Sequence, residues 1–440
     1  MKQPLSNKSF RSALWIALVL SCLSCSENSS KRIDLKFDAG WKFHRGALSG
    51  VENPDFDLSK WRRVDLPHDW SIEDIPGTNS PFDSTAVGAR GTGYTVGGTG
   101  WYVKEFVLEN SYRGKRVDVL FEGVYMDAAI WINGFHLGNQ PYGYTSFQFD
   151  ITDYLHFDGR PNRLAVEVKN EGANCRWYSG SGIYRHVWLR ATSRIHIERW
   201  GTFVSTLSAG PDEAKIRVET RVVNHREAPA DIQLLLEVKD SNGRQLTSFT
   251  RDLSVGAGKE ELVVQELQVE NPRLWGPDSP ELYSLHSTIK ERKLIFDCSE
   301  TPFGIRITEF DPERGFLLNG EVLKLKGGCM HHDNGPLGAA AYDRAEERRV
   351  ELMKANGFNA IRTSHNPPSP AFLDACDRLG MLVINEIYDG WFQDSQKKPY
   401  YKIEFEAGWP ADVKDFVLRV RNHPSVIVWS TGKEIMDKLS

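Results

Sequence analysis

Beyond its first 25 residues the chain has only four cysteines, Cys175, Cys298, Cys329 and Cys376, and none of them lies in a CxxC pair. That spacing argues against a zinc knuckle or a redox dithiol, and in domains large enough to do without staples buried thiols are expected rather than disulfides. Positive charge is in no surplus: 54 Lys and Arg stand against 59 Asp and Glu, a net charge of −5 without long runs of one sign. With no basic face to meet a phosphate backbone, nucleic acid is excluded as a partner. No apolar run after the first 25 residues is long enough to cross a bilayer, and there is no internal repeat or low-complexity tract. Aromatic residues, by contrast, are plentiful: 11% of the chain, including 13 Trp. They suit packed β cores and also flat platforms for stacking.

Residues 1–25 read as a targeting segment. Lys2, Lys8 and Arg11 precede the apolar run Ala13 to Leu20, which is too short to span a membrane. VLSC (Val19 to Cys22) and CLSC (Cys22 to Cys25) resemble bacterial lipoprotein signals, with an ordinary secretory signal as the alternative. The expectation is export to the periplasm or outer membrane of a Gram-negative bacterium. Membrane contact would come only through a lipid on Cys22 or Cys25, which the mass of the mature N-terminus reads out.

Two β blocks follow. In residues 33–192 the stretches WYVKEFVL (101–108), RVDVLFEGV (116–124), DAAIWING (127–134) and NRLAVEVKN (162–170) alternate apolar with polar, and Asn133-Gly134 reads as a tight hairpin. A β-sandwich of jelly-roll type is expected. The glycines of WYSGSGIYRHVWLR (177–190) and of residues 85–100 predict close backbone approach to a neighbour. Residues 193–303 place strands at 215–223, 232–238, 261–269 and 282–290, the spacing of an immunoglobulin-like sandwich, with a buried-looking Trp275 in NPRLWGPDSP.

From residue 304 to 440 the pattern changes. A hairpin over 303–325 turns at Asn319-Gly320, and then short apolar runs alternate with amphipathic ones. The strands are 323–329, 360–365, 382–386 and 426–429; the helices are 344–356, with Val350 and Met353 on one face and Leu352 beside them, 370–379 and 413–421. Strand and helix in alternation predict parallel strands, here the first four strands of a (β/α)8 barrel, whose chemistry sits at the C-terminal strand ends. Those ends carry His331, His332 and Asp333; Arg362 and His365; Glu386 and Asp389; and Glu434. Such a rim grips a polyhydroxylated ligand better than it stabilises a fold. A metal held by His331, His332 and Asp333 is the weaker reading, because neighbours on a strand point to opposite faces.

Three long motifs, GCMHHDNGPLG (328–338), NAIRTSHNPPSPAFLDACDRLG (359–380) and RNHPSVIVWSTGKE (421–434), resemble glycoside hydrolase family 2. GTGWYVKEF (98–106) and SGSGIYRHVWL (179–189) match it as well, and within the family the sequence is most similar to the bacterial β-galactosidases. The resemblance implies retaining hydrolysis of terminal β-galactosides, in which one carboxylic acid protonates the leaving oxygen and a second forms a glycosyl-enzyme about 5 Å away. Glu434 would be the acid/base, His331 and His365 would contact the sugar, Arg362 would support the nucleophile, and Trp391 and Trp177 would stack. Where the family has an Asn on the sugar's 2-hydroxyl this chain has Lys433, a cation that lowers the pKa of a neighbouring acid. The sequence ends at Ser440, so the closing strands and the nucleophile are expected to be missing and the chain to be inactive alone. A β-galactoside oligosaccharide or glycoconjugate is the implied partner, and an oligomer is compatible with the resemblance. No cofactor is called for, and a metal the family admits finds no support in the residues. The competing readings are a non-catalytic carbohydrate-binding remnant and a β-glucuronidase- or β-mannosidase-type member.

Overall fold

The computed structural model describes residues 32–172, 174–390 and 402–433. Cys22, Cys25, Trp391 and Glu434 lie outside them.

The first domain packs a six-stranded antiparallel sheet on a four-stranded one. The larger sheet runs Arg62–Val64, Trp41–Arg45, Gly98–Phe106, Asn162–Asn170, Ala128–Ile132 and Phe135–Gln140; the smaller runs Ile33–Lys36, Val187–Thr192, Arg116–Phe121 and Phe147–Asp150. Trp41, Phe43, Tyr102, Val119, Phe121 and Ile130 fill the space between them. Asn133 and Gly134 have φ of 50° and 85°, and they close a two-residue turn with Ile132 opposite Phe135, as the primed hairpin turns require. The glycines of 85–100 lie against the domain's own segments: a Cβ on Gly97 would strike the Asn170 carbonyl, and one on Gly100 the Trp70 ring.

The second domain has sheets of three and four antiparallel strands. Its inner faces follow the period of two; in Ala230–Lys239, for example, Ile232, Leu234, Leu236 and Val238 all enter the core. Three strands escaped sequence reading. Ile195–Ala209 is broken by an irregularity between Ile197 and Thr202, Gln245–Val255 is a largely polar edge, and Leu294–Phe303 mixes charges with its apolar residues. Trp275 is fully buried, but against the barrel: it packs with Leu318, Ala360, Leu382 and Ile427 and donates its indole N–H to the Asp377 carbonyl at 2.9 Å.

The third region opens with the expected Asn319-Gly320 turn and continues as four parallel strands, Gly327–Met330, Ala360–Thr363, Leu382–Glu386 and Val426–Ser430, in that spatial order. The first strand starts four residues later than expected. Asn359 accounts for this, since its side chain accepts from Lys326 N–H at 2.7 Å and donates to the Lys324 carbonyl at 3.0 Å, which takes both out of the ladder. Helices Asp343–Ala355, Pro370–Leu379 and Lys402–Val420 cross between the strands. The middle one is delimited as its sequence implies: Ser369 accepts from Phe372 N–H, Pro370 fills the first turn, and Gly380 ends it at φ 69°. The third extends N-terminally through Pro410, and Asp412, Phe416 and Val420 are among its buried residues. Val350 and Met353 face the core as expected, while Leu352 beside them is 45% exposed and Glu346 is buried. Cys175 and Cys376 are buried free thiols, whereas Cys329 is exposed, contrary to expectation.

His186 ties the sandwich to the barrel. Its Nδ1 meets Asp38 and its Nε2 meets Asp343, the first residue of the first helix, each at 2.7 Å. Burial disfavours the imidazolium, but the two carboxylates outweigh it and push the pKa up to about 9, while the bond from His186 draws Asp343 down to about 2. The folded-state pKa of His186 lies above its unfolded value, so the stabilisation is complete below about pH 6.5 and is lost as pH rises through about 9. His186→Gln is expected to cost about 1.5–3 kcal/mol at pH 6, and its urea midpoint should converge with wild type above about pH 9.5. A gap that does not narrow with pH would show that the imidazolium is not the source.

Candidate active site

The C-terminal ends of the second and third barrel strands are held together by Glu386. Its side chain is fully enclosed, and both carboxylate oxygens are engaged: Oε1 with His365 Nδ1 at 2.5 Å, and Oε2 with Arg362 Nη2 at 2.5 Å and Ser430 Oγ at 2.7 Å. Its backbone N–H donates to Thr363 Oγ1 at 3.0 Å. Burial alone would raise this carboxyl, yet the donors His365, Arg362 and Ser430 hold it below the ordinary carboxylate range. Glu386 therefore stays ionised and serves as the anchor of Arg362 and His365, not as a surface open to ligand. Asp389 is engaged too, in a bidentate pair with Arg176 of the sandwich.

Three rings assemble over this anchor. Trp177, from the glycine-rich segment of the sandwich, lies 5.0 Å from the His331 ring and 5.6 Å from that of His365, and the two imidazoles are 5.7 Å apart. Burial and the neighbouring His365 lower the pKa of His331, with Lys433 contributing from the other side. His331 is thus a neutral imidazole at neutral pH, with one donor and one acceptor. His332 turns the opposite way, donating Nε2–H to the Ser179 carbonyl at 3.0 Å among Tyr144 and Tyr184, and burial takes it down to about 3. The two histidines do not converge on one point, as alternation anticipates. Lys433 enters the same neighbourhood after the fourth strand, its N–H donating to the Tyr388 carbonyl at 3.2 Å. Of the expected site residues, the fold brings together Trp177, His331, Arg362, His365, Glu386, Asp389 and Lys433.

What holds Trp177 over the barrel is Asp69, a residue with no motif to advertise it. This buried carboxylate accepts from Ser71 N–H and Ser181 N–H, each at 2.9 Å, from Ala339 N–H of the barrel at 2.8 Å, and from Tyr178 OH. The approach is close enough that a Cβ on Gly180 would meet the Ala339 side chain at 2.4 Å. Gly180 lets the two domains touch, whereas Gly182 lies against Tyr102 and the His68 carbonyl of its own domain. Sequence reading also missed Ser430, Arg176 and the tyrosine cluster of Tyr125, Tyr142, Tyr144 and Tyr388, which lines the cleft beside Trp177.

Comparison with known proteins places this architecture. Residues 37–193 match the sugar binding domain of glycosyl hydrolases family 2, 195–306 match the domain described simply as glycosyl hydrolases family 2, and 312–438 match its TIM barrel domain. Among similar proteins is the β-galactosidase BoGH2A of Bacteroides ovatus, 42% identical over 95% of this chain and 48% of its own length. A putative β-glucuronidase of Formosa agariphila is 36% identical over 95% of this chain and 39% of its own. A crystal structure of a family 2 member from Bacteroides cellulosilyticus superposes with a TM-score of 0.90 at 48% identity, covering 92% of this chain and 52% of that one. The chain thus spans about half the length of the relatives it matches. With a sugar-binding sandwich, an immunoglobulin-like domain and part of a TIM barrel in the order of those matches, the chain belongs to glycosyl hydrolases family 2.

Proposed function

We propose that these residues form the sugar-binding half of a retaining β-galactosidase site, with Glu434 as its acid/base. The observation that carries the reading is the convergence of Trp177, neutral His331 and His365 over the Arg362–Glu386 pair at the C-terminal strand ends. An aromatic face and a neutral His331 imidazole that both donates and accepts suit the faces and hydroxyls of a pyranose. Double displacement needs a second carboxylate about 5 Å from the acid. Two of the described strand-end carboxylates, Glu386 and Asp389, are each committed to a cation that holds them as structural anchors. These residues then supply sugar binding, and turnover needs a further carboxylate as nucleophile.

Calorimetric titration with an alkyl β-galactoside tests this. Saturable binding is expected, weakened roughly tenfold, or about 1.4 kcal/mol, by Trp177→Ala; equal affinity in the variant would remove the site from consideration. A second reading has specific support: the Lys433 cation beside His331, together with a relative named as a putative β-glucuronidase, favours an anionic sugar at the same place. A glucuronide that binds more tightly than the galactoside, and loses the advantage in Lys433→Asn, would establish it.

A further inference from the structure

A second cleft opens where the three domains meet, lined by none of the site residues above. Trp188 and Arg190 of the sandwich, Arg199 and Trp200 of the immunoglobulin-like domain, and Arg419 and His423 of the barrel face it. An irregularity in the long strand Ile195–Ala209 builds one wall: the ladder slips between Ile197 and Thr202, Trp200 stands at φ 53°, and Arg421 Nη2 donates to its carbonyl at 2.7 Å. A non-glycine residue held in that region signals a constraint imposed by its surroundings.

The arginines here are unequal. Arg190 is bonded to Asp34, and the one enclosed carboxylate, Glu122, accepts from Trp188 Nε1 at 2.8 Å. Arg199 donates Nη1 to Gln148 Oε1 at 2.8 Å with its plane 3.9 Å from the Trp200 ring centre, and Arg419 donates Nη2 to the Pro368 carbonyl at 2.8 Å. Among the described residues neither has an ion-pair partner, and the Nε–H of Arg199 has no acceptor. Glu122 acts on both, Asp118 and Asp415 on Arg199, and Asp374 on Arg419, each only through space. Burial, followed by repulsion from Arg190 and Arg419, lowers the pKa of Arg199; burial and repulsion from Arg185 bring Arg419 down to about 10. Protein cations crowded in this way are stabilised by an anion, and guanidinium forks match planar and tetrahedral oxyanions.

We propose that this junction is a binding site for a small oxyanion, a carboxylate, sulfate or phosphate group, gripped by Arg199 and Arg419 beside Trp188 and Trp200. The group is either an acidic substituent of a carbohydrate or a free inorganic ion. The whole chain is titrated at constant ionic strength with glucuronate, inorganic phosphate, sulfate and, as neutral control, glucose. Saturable heat is expected for at least one anion and none for glucose, with binding weakened roughly tenfold or more by Arg199→Gln and by Arg419→Gln. Arg199→Lys, which keeps the charge, should fall between, and circular dichroism checks that each variant is folded. Tighter binding of glucuronate than of phosphate identifies the acidic sugar, and the reverse order identifies the free ion. No saturation by any anion, wild-type affinity in both Gln variants, or loss of the signal in Lys433→Asn alone would overturn the proposal.

Discussion

Glu386→Ala is expected to lower the unfolding free energy by about 1.5–3 kcal/mol, the scale for losing charge-assisted hydrogen bonds, because Arg362, the cation left behind, is about one-third exposed. The carboxylate is wholly enclosed, and it holds Arg362, His365 and Ser430 at once, so its loss leaves a guanidinium and an imidazole facing each other without a counter-ion. Glu386→Gln should cost less than Ala, because the amide keeps the shape and one acceptor. Adding Arg362→Ala to Glu386→Ala should return part of the loss, since the stranded cation goes with it. Urea unfolding of the four proteins reads this out. A change below about 1 kcal/mol in the Ala variant would mean that water replaces the carboxylate freely and the site is not pre-organised. The same substitution should abolish β-galactoside binding, since it frees His365 from its orientation.

Much of this anchor was legible in the sequence, and the rest was hidden for physical reasons. Alternating strand and helix located the parallel strands, and their C-terminal ends named Arg362, His365, Glu386 and Asp389 without any coordinates. Which of those side chains meets solvent could not be read off, because the answer depends on partners across strands: Glu386 is spoken for by residues 21, 24 and 44 positions away. Asp69 is the clearer case. An Asp between His68 and Trp70 in a β domain carries no periodic signal, yet its position against Ala339, 270 residues on, sets where Trp177 stands. The glycines of 177–190 did forecast a close approach, and Gly180 against Ala339 is that approach. Strand ends were misjudged where side chains replaced backbone partners, as Asn359 does for Lys324 and Lys326.

With Glu434 as the proposed acid/base, the largest functional effect is expected there, because a positioned general acid contributes about 10² to 10⁴ in rate. A substrate with a poor leaving group should feel the whole loss in Glu434→Gln, and an activated aryl galactoside much less. On the same proposal Glu386 would bear on that step through its placement of His365, and Lys433 through its charge. The most direct measurement is kcat/KM on alkyl and aryl β-galactosides and on an aryl β-glucuronide. It is made for the 440-residue chain, for the chain continued with the C-terminal half of the Bacteroides cellulosilyticus relative, and for that continued protein carrying Glu434→Gln. The account predicts no turnover by the chain alone, galactoside-selective turnover by the continued protein, and a loss of about 10² to 10⁴ on the alkyl galactoside with Gln at 434. Turnover by the chain alone, activity indifferent to Glu434, or faster hydrolysis of the glucuronide would contradict it.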